Sequence, residues 1–403
     1  MFQSQPSDNT LVSIYPFNDE FFAFAEYPFI HQIDPETLET KKKVDFSDKF
    51  GVLYHTSHPH VISDGTVYNL GLSLSKFGPV YNIICFPKGE NIFNDAKVVV
   101  ELPVRWKFHP SYMHTFGITE NFFIIVEQPL VLSVKSILKT AFNHKPFITC
   151  FQSFQDKSVK IHLIDRVSGK LRQTFDTETF FFFHIINQFE KNGHVVIDII
   201  CYKDFSVIDS LYIDSIKNGL SDPLMDIFQS ETLRFVLPLN KPNESKGNIV
   251  TLENTAAVAF LKSDGSVFCK PEILCDIGCE LPRINYEKYL GKDYQFFYAL
   301  SATVELENAG ILVKGDVRKK TKLIWSEKNC YPSEPVFIAS PEPKSEDDGV
   351  IVASMIWGNG EENRVGLLVL DAKTMTEKGR CEFNNLPGPV PKCFHGWFAR
   401  KKL

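Results

Sequence analysis

The chain has 403 residues, of which 44% are hydrophobic and 23% charged, and its formal net charge is −6 at pH 7. This composition supports a large buried core, and the acidic balance gives no electrostatic basis for binding nucleic acid. Phenylalanine is over-represented, with 36 copies against 5 Met and 4 Trp. So many rings can build a core and also line an apolar tunnel.

The cysteines and the start of the chain indicate a reducing, cytoplasmic compartment. The chain has 9 cysteines, an odd number, and no Cys-x-x-Cys pair. Its first residues, MFQSQPSDNT, have neither the charged nor the apolar region of a secretory signal. The longest apolar runs have the length of strands and are broken by charges. We therefore predict no transmembrane span.

Most of the chain is predicted to form β-strands of roughly five to nine residues that are bounded by turn residues. In chain order, the predicted strands are TLVSIYP, EFFAFAE, TVYNLGLSL, VYNIICFP, AKVVVELPV, FFIIVEQPLVLS, HVVIDIICY, LRFVLPL, YQFFYALSATV, KLIWSE and GVIVASMIWG. Helical spacing is scarce. The sequence therefore predicts an all-β protein.

Two hairpin patterns recur along the chain. A strand, an Asp, a short turn and a second strand occur at 31–46, 161–176 and 367–383. A Ser-Asp-Gly turn occurs at 63–69 and 263–269, and Asp-Gly supplies the positive φ values that a tight hairpin needs. Repeated hairpins without helices between them favour a β-propeller whose blades carry insertions, with a β-sandwich as the alternative. At the axis of a propeller, side chains from distant blades meet.

One segment, PLVLSVKSILKTAFNHKPF, has helical spacing. Its apolar residues recur at positions i, i+3, i+4, i+7 and i+8, and Lys135 and Lys139 lie off that face. This pattern predicts an amphipathic helix of about two to three turns. The residues of the apolar face are Val134, Ile137, Leu138, Ala141 and Phe142. On sequence alone, packing on the protein and contact with a membrane explain this face equally well.

Four of the 11 histidines lie far apart in the chain, each inside a chemically distinctive segment. They are His58 in YHTSHPHVISDGTVYNLG, His114 in PSYMHTFGITENFF, His184 in FFFHIINQFE and His395 in PKCFHGWF. Metal ligands that come from separate turns of one β-structure have this distribution. Spacing alone does not distinguish the four from the remaining histidines, because most histidines in β-proteins are structural.

Several segments resemble the carotenoid oxygenase family, whose animal members include β-carotene cleavage dioxygenases and the retinoid isomerohydrolase of the retinal pigment epithelium. The resemblance follows the family's order from about residue 10 to the C-terminus. The segments that carry it are TSHPHVISDGTVYNLG, PSYMHTFGITENFFIIVEQPL, FFFHIINQFEKNGHVVIDIICY, CELPRINYEKYLGKDYQFFYAL, YPSEPVF with EDDGVIVASMI, and LLVLDAKTMTEKGRCEF leading to FHGWF.

The resemblance implies one domain over residues 1–403. Its fold would be a seven-bladed β-propeller, with helical and loop insertions that form a cap over an axial metal site. The metal would be a non-haem Fe(II) bound by His58, His114, His184 and His395. The family motif uses the first histidine of HPH, so His60 is not an expected ligand. Neutral imidazole suits Fe(II), and four neutral ligands leave its +2 charge uncompensated, so the metal remains a strong Lewis acid.

The resemblance also implies three glutamates that orient the ligands. Metal-bound histidines commonly donate their second N–H to a carboxylate, which fixes the tautomer. The motif positions are Glu26 in FAFAEYPF, Glu280 in CELPRINY and Glu334 in YPSEPVF. The family pattern assigns Glu26 to His114, Glu280 to His184 and Glu334 to His395, and leaves His58 without a carboxylate.

Two further expectations follow from the resemblance. Animal members have an apolar patch at the position of the amphipathic helix, which implies peripheral, one-leaflet binding to an intracellular membrane. They also carry an N-terminal segment before the stretch that corresponds to DNTLVSIYPFNDEFFAFAE, whereas this chain begins almost directly there. We therefore expect the propeller to be incomplete at its N-terminal blade, with exposed strand edges.

The leading functional hypothesis is an oxygenase that splits one C=C bond of a carotenoid with O2 to give aldehydes such as retinal. One alternative is a retinoid isomerohydrolase, in which the iron acts as a Lewis acid on a retinyl ester. Another is a catalytically silent product or carotenoid-binding protein, because N-terminal strands are expected to be absent. The histidines and glutamates do not discriminate between these functions.

Overall fold

The computed structural model describes residues 8–143, 147–217, 229–242, 244, 247–301, 310–384 and 387–399. Contacts divide the chain into two compact units: unit 1 is Met1–Phe181 with Lys262–Phe268, and unit 2 is Phe182–Leu261 with Cys269–Leu403. In the described part of both units, β-strands dominate, which confirms the all-β class. No described helix is both long and apolar enough to cross a membrane.

The strands of unit 1 form three sheets of at least four strands, antiparallel apart from one parallel pair, and one small two-stranded sheet. The first sheet contains β1 (Ser13–Phe17), β2 (Glu20–Phe24), β3 (Phe29–Ile33) and β4 (Thr40–Asp45). The second contains β5 (Val52–His55), β6 (His60–Val61), β7 (Val67–Ser75), β8 (Gly78–Phe86) and β9 (Lys97–Pro103). The third contains β10 (Gly117–Ile118), β11 (Phe122–Glu127), β14 (Val159–Asp165) and β15 (Leu171–Thr177). The two-stranded sheet pairs β12 (Leu130–Leu132) with β13 (Phe151–Ser153).

Unit 2 contains three further sheets of at least four strands. The first joins β16 (Phe181–Lys191), β17 (His194–Tyr202), β18 (Ser230–Pro238) and β21 (Glu272–Cys275). Between β18 and β21 in the sequence lie β19 (Val258–Leu261) and β20 (Val267–Lys270), and Val267 and Phe268 of β20 belong to unit 1 and extend its third sheet. The second joins β22 (Glu280–Arg283), β23 (Phe296–Ser301), β24 (Ile311–Asp316) and β25 (Thr321–Ser326). The third joins β26 (Cys330–Pro332), β27 (Val336–Ala339), β28 (Gly349–Trp357), β29 (Val365–Asp371) and β30 (Glu377–Phe383).

Each of these six sheets has the size of a propeller blade, so the described residues contain one blade fewer than the seven expected. The second Ser-Asp-Gly hairpin joins an existing sheet. It does not begin a sheet of its own, because Val267 and Phe268 of β20 pair in parallel with Phe175 and Asp176 of β15. The number of hairpin repeats in the sequence therefore does not equal the number of blades.

The three recurring Asp hairpins predicted from the sequence are confirmed, and their turns have the same backbone conformation. They are β3–β4, β14–β15 and β29–β30. In each turn the Asp side chain accepts backbone N–H bonds two or three residues later. The fourth residue after it has a positive φ: Leu38 at 59°, Gly169 at 66° and Met375 at 58°. At Gly169 a Cβ would lie 2.2 Å from the Val99 carbonyl oxygen, so only glycine fits there.

Phenylalanine builds much of the core. In unit 1 the Phe17 ring lies 5.3 Å from Phe86 and the Phe22 ring 5.2 Å from Phe93, both edge to face. Phe46 packs against Phe86 at 5.4 Å. These rings join the first two sheets of unit 1, and burying each one contributes about 1.5–3 kcal/mol. Phe24 and Phe46 also contact the ring of His55, the last residue of β5, at 5.8 and 5.5 Å.

The predicted amphipathic helix is present as α2, after the short helix α1 (Ser47–Phe50), and spans Val134–Asn143. Ser133 caps it, because its hydroxyl oxygen accepts the N–H of Ser136 at 3.2 Å. Lys135 and Lys139 are exposed. The side chains of Leu138, Ala141 and Phe142 lie outside the described residues. The shorter helices α3 (Ile213–Lys217) and α4 (Tyr286–Tyr289) lie in unit 2.

Candidate metal centre

His58 lies in the short connection between β5 and β6 of unit 1. Its backbone N–H is 3.3 Å from the Thr56 hydroxyl, and that hydroxyl donates to Asn69 Oδ1 at 2.7 Å. Asn69 in turn donates to the Thr56 carbonyl oxygen at 3.0 Å. The side chains of Thr56, His58 and Asn69 are all buried. A hydrogen-bonded loop rather than a strand therefore orients this histidine.

His114 lies in the loop before β10, and its ring faces that of His58. The two Nε2 atoms are 3.1 Å apart, and the ring centroids are 4.7 Å apart. On its other side, His114 Nδ1 lies 2.6 Å from Glu26 Oε1. A carboxylate only accepts hydrogen bonds, so Nδ1 carries the proton and Nε2 presents its lone pair towards His58.

Tyr112 holds Glu26 in place. Its hydroxyl donates to Glu26 Oε1 at 2.7 Å and also lies 2.8 Å from His114 Nδ1. Burial first, and then the charge of Glu26, raise the pKa of the Tyr112 hydroxyl well above its usual value, so it remains a donor. Tyr112, Glu26 and His114 thus form one connected polar group.

In unit 2, His184 on β16 has an equivalent partner. Its Nδ1 lies 2.6 Å from Glu280 Oε2. The Tyr202 hydroxyl donates to Glu280 Oε1 at 2.8 Å, and the Leu281 N–H donates to Oε2 at 3.0 Å. Burial alone would raise the pKa of Glu280, but His184 and these donors outweigh it and lower that pKa. His184 therefore also carries its proton on Nδ1 and its lone pair on Nε2.

A β-bulge accompanies Glu280. The register of β22 against β23 shifts between Glu280 and Arg283, and Leu281 has a φ of 54°. A non-glycine residue in this region costs about 1 kcal/mol or more, and such strain persists where surrounding contacts over-determine it. Bulges redirect side chains. Here the bulge separates Glu280, which contacts His184, from Arg283, which contacts Glu334.

His395 belongs to residues 387–399, which form neither a helix nor a strand. Its Nδ1 lies 2.7 Å from Glu334 Oε1, and its ring centroid lies 5.1 Å from that of His184. Glu334 is buried, and burial would raise its pKa; Arg283 and His395 outweigh this effect and hold the pKa at about 2. Glu334 is therefore an anion throughout the physiological range.

The structure thus brings the seven residues together in two groups, one in each unit. Unit 1 holds His58, His114 and Glu26, and unit 2 holds His184, His395, Glu280 and Glu334. Each glutamate lies against the histidine that the resemblance assigns to it. His60 has a different environment: its Nε2 is 2.8 Å from the Phe116 carbonyl oxygen, and burial lowers the pKa of its ring to about 4.

Three residues of these groups were not anticipated from the sequence. Tyr112, Tyr202 and Arg283 each bind one of the glutamates. Two of them lie close to motif residues, since Tyr112 precedes His114 by two positions and Arg283 follows Glu280 by three. Their closeness to the motif residues is the feature of the sequence that could have identified these two residues.

Comparison with known proteins gives concordant results. The model of the family described as retinal pigment epithelial membrane protein matches residues 1–400. Carotenoid isomerooxygenase of Drosophila melanogaster is 45% identical, and the match covers 98% of this chain and 74% of that protein. β,β-Carotene 15,15'-dioxygenase of Gallus gallus is 37% identical over 94% of this chain and 73% of that protein.

Among solved structures, cobalt-substituted Synechocystis apocarotenoid oxygenase superposes with a TM-score of 0.76. The match covers 100% of this chain and 76% of that chain, at 19% sequence identity. At this identity the likeness concerns the fold alone. It confirms the predicted β-propeller class and excludes the β-sandwich alternative.

Proposed function

The chain belongs to the carotenoid oxygenase family, and on that premise we propose that His58, His114, His184 and His395 bind one Fe(II) and that the protein cleaves a C=C bond of a carotenoid with O2. The observation that carries this proposal is the set of three histidine–glutamate contacts, at 2.6, 2.6 and 2.7 Å. Each contact leaves an imidazole Nε2 available as a ligand.

The donor chemistry of both groups fits such a metal. Neutral imidazole nitrogens suit Fe(II), Zn(II), Cu(II) and Ni(II), while a hard cation such as Mg(II) prefers oxygen ligands. The Nε2 atoms of His58 and His114 are 3.1 Å apart. This separation is compatible with both nitrogens binding one ion, because a metal–nitrogen distance is about 2.1 Å. A bound Fe(II) would supply the O2 chemistry that side chains cannot perform.

The protein's own contribution is orientation. Glu26, Glu280 and Glu334 hold protons on the Nδ1 atoms, so the rings cannot rotate or change tautomer without losing a charged hydrogen bond. Phe183 lies beside the His184 group, with its ring centroid 6.3 Å from that of His184 and 6.1 Å from that of Tyr202. Aromatic rings of this kind would hold a polyene and exclude water from it.

The names of the relatives support the oxygenase over the isomerohydrolase. The relatives with 45% and 37% identity are named isomerooxygenase and dioxygenase. In the proposed reaction one C=C bond and the O–O bond break, and each alkene carbon receives one oxygen atom, which gives two aldehydes. The name of the first relative also favours an isomerisation that accompanies cleavage.

Incubation of the iron-loaded chain with a carotenoid under 18O2 tests the proposal. We expect 18O in both aldehydes when they are trapped before exchange with water. A cis-retinol formed from a retinyl ester without O2 would instead establish the isomerohydrolase. An iron-loaded protein that binds the carotenoid without turnover would establish the silent alternative.

We also propose that α2 and its surroundings bind the surface of a membrane. Three phenylalanines of unit 1 are strongly exposed: Phe77 by 81%, Phe108 by 65% and Phe147 by 56%. The Phe108 carbonyl oxygen accepts the Val134 N–H at the start of α2 at 3.1 Å. Phe147 follows α2 in the chain by four residues. Exposed aromatic rings on both sides of a helix with exposed Lys135 and Lys139 are typical of interfacial binding.

A further inference from the structure

The two histidines of unit 2 are positioned by different means. His184 is part of β16, so the hydrogen bonds of a sheet fix its backbone. His395 lies in residues 387–399, which have no such ladder. The position of His395 must therefore be set by contacts of side chains with this segment.

Arg283 and Glu334 provide those contacts at the residue that follows His395. Glu334 Oε2 accepts the Gly396 N–H at 2.9 Å, while Arg283 Nη2 donates to the Gly396 carbonyl oxygen at 2.5 Å. The same guanidinium spans the carboxylate: Nη2 donates to Oε2 at 2.8 Å, and Nε lies 2.8 Å from Oε1 in an ion-pair contact that lacks hydrogen-bond geometry. The pair thus holds the polar groups on both sides of Gly396.

Burial makes this arrangement rigid. The Arg283 side chain is 13% exposed and that of Glu334 4%. A guanidinium–carboxylate ion pair that includes a hydrogen bond is strong and directional, especially away from water. Glu280, by contrast, is held by the neutral donors Tyr202 and Leu281. Within unit 2, the charged clamp therefore occurs at the ligand that lacks support from a sheet.

We propose that Arg283 is the positioning residue of His395: with Glu334 it docks residues 387–399 and thereby sets where His395 presents its Nε2 atom. This inference rests on the proposed four-histidine site. Arg283 acts through His395 and Glu334, so it needs no contact with metal or substrate.

Co(II) binding to the full chain tests the inference with a double-mutant cycle of Arg283→Gln and His395→Ala. Each single variant should bind Co(II) about ten- to a hundredfold more weakly. The double variant should lose no more than His395→Ala alone, because both changes remove the same ligand. Wild-type affinity in Arg283→Gln, or losses that add, would overturn the inference. Wild-type affinity in His395→Ala would instead overturn the four-histidine site itself, and with it this inference.

Arg283→Gln leaves Glu334 buried without its cation, which is strongly destabilising and can prevent folding. Arg283→Lys keeps the charge but has one nitrogen in place of the planar guanidinium that contacts both Glu334 and Gly396, so it should fold and bind Co(II) with intermediate affinity. It should also increase tryptic cleavage after Lys392 severalfold, with an unchanged melting temperature. Arg318→Gln, at an exposed ion pair with Asp293 at 3.5 Å, is the matched control and should change neither property. Cleavage and affinity in Arg283→Lys equal to those of the wild type would contradict the clamp.

Discussion

The Nε2 atoms of His58 and His114 face each other at 3.1 Å, although 55 residues separate them in the chain. Glu26 fixes the proton of His114 on Nδ1, so the Nε2 lone pair of His114 points at the second ring. Two nitrogen atoms at this distance require either a proton or a cation between them. This relationship within one unit is the physical basis for considering a metal.

Substitution of Tyr112 by Phe tests how far the orientation of Glu26 matters. The change removes the hydroxyl that donates to Glu26 at 2.7 Å. A hydrogen bond to a charged group contributes about 1.5–3 kcal/mol, so we expect Fe(II) to bind about tenfold more weakly, as measured by competition with a chelator. Tyr81→Phe is the control, because it removes a buried hydroxyl that donates a hydrogen bond to another carboxylate, Glu127, at 3.0 Å. An equal loss in both variants would indicate general destabilisation.

Glu280→Gln should weaken iron binding about ten- to a hundredfold. The glutamine oxygen can still accept from His184, but it lacks the negative charge that makes the ring a better ligand. Glu272→Gln is a matched control, because Glu272 is also buried in unit 2 and pairs with Lys320 at 2.7 Å. Unchanged iron affinity in Glu280→Gln would argue against a metal at His184.

Buried His55 should make the stability of the protein depend on pH. Burial lowers the pKa of its ring to about 4, whereas the unfolded value is 6.5. The unfolded state therefore takes up a proton first as the pH falls, and stability is lost between pH 6.5 and 4, by at most about 3 kcal/mol. His55→Phe keeps a ring beside Phe24 and Phe46 and should reduce this loss. Denaturant unfolding of the metal-free protein at pH 6.5 and at pH 4 measures this loss of stability, and His31→Phe is the control. An unchanged pH dependence in His55→Phe would contradict the attribution of the loss to His55.

Replacing Phe77, Phe108 and Phe147 by Ser should abolish sedimentation of the protein with phospholipid vesicles. Each exposed ring contributes apolar area that the interfacial region of a bilayer would bury. Replacing Leu11, Leu38 and Val167, exposed by 63%, 74% and 96% in the same unit, gives a control of equal number. If both triple variants bind vesicles as the wild type does, the proposed membrane surface is wrong.

Local sequence patterns predicted the hairpins and α2 because neighbouring residues determine them. Asp34, Asp165 and Asp371 form their turns with residues only two to five positions later. The histidine–glutamate contacts depended on family motifs, since no local pattern relates Glu280 to His184, 96 positions away. The clamp of Arg283 on Glu334 and Gly396 required the structure, because its partners lie 51 and 113 positions along the chain.

The most direct test of the four-histidine site is the iron content of the purified chain and of four variants, His58→Ala, His114→Ala, His184→Ala and His395→Ala. The account predicts close to one Fe per chain in the wild type and a large loss in each of the four. His60→Ala should retain its iron, because its Nε2 lies 2.8 Å from the Phe116 carbonyl oxygen. Iron lost only in the His58 and His114 variants, or retained in all four, would contradict one centre built from both groups.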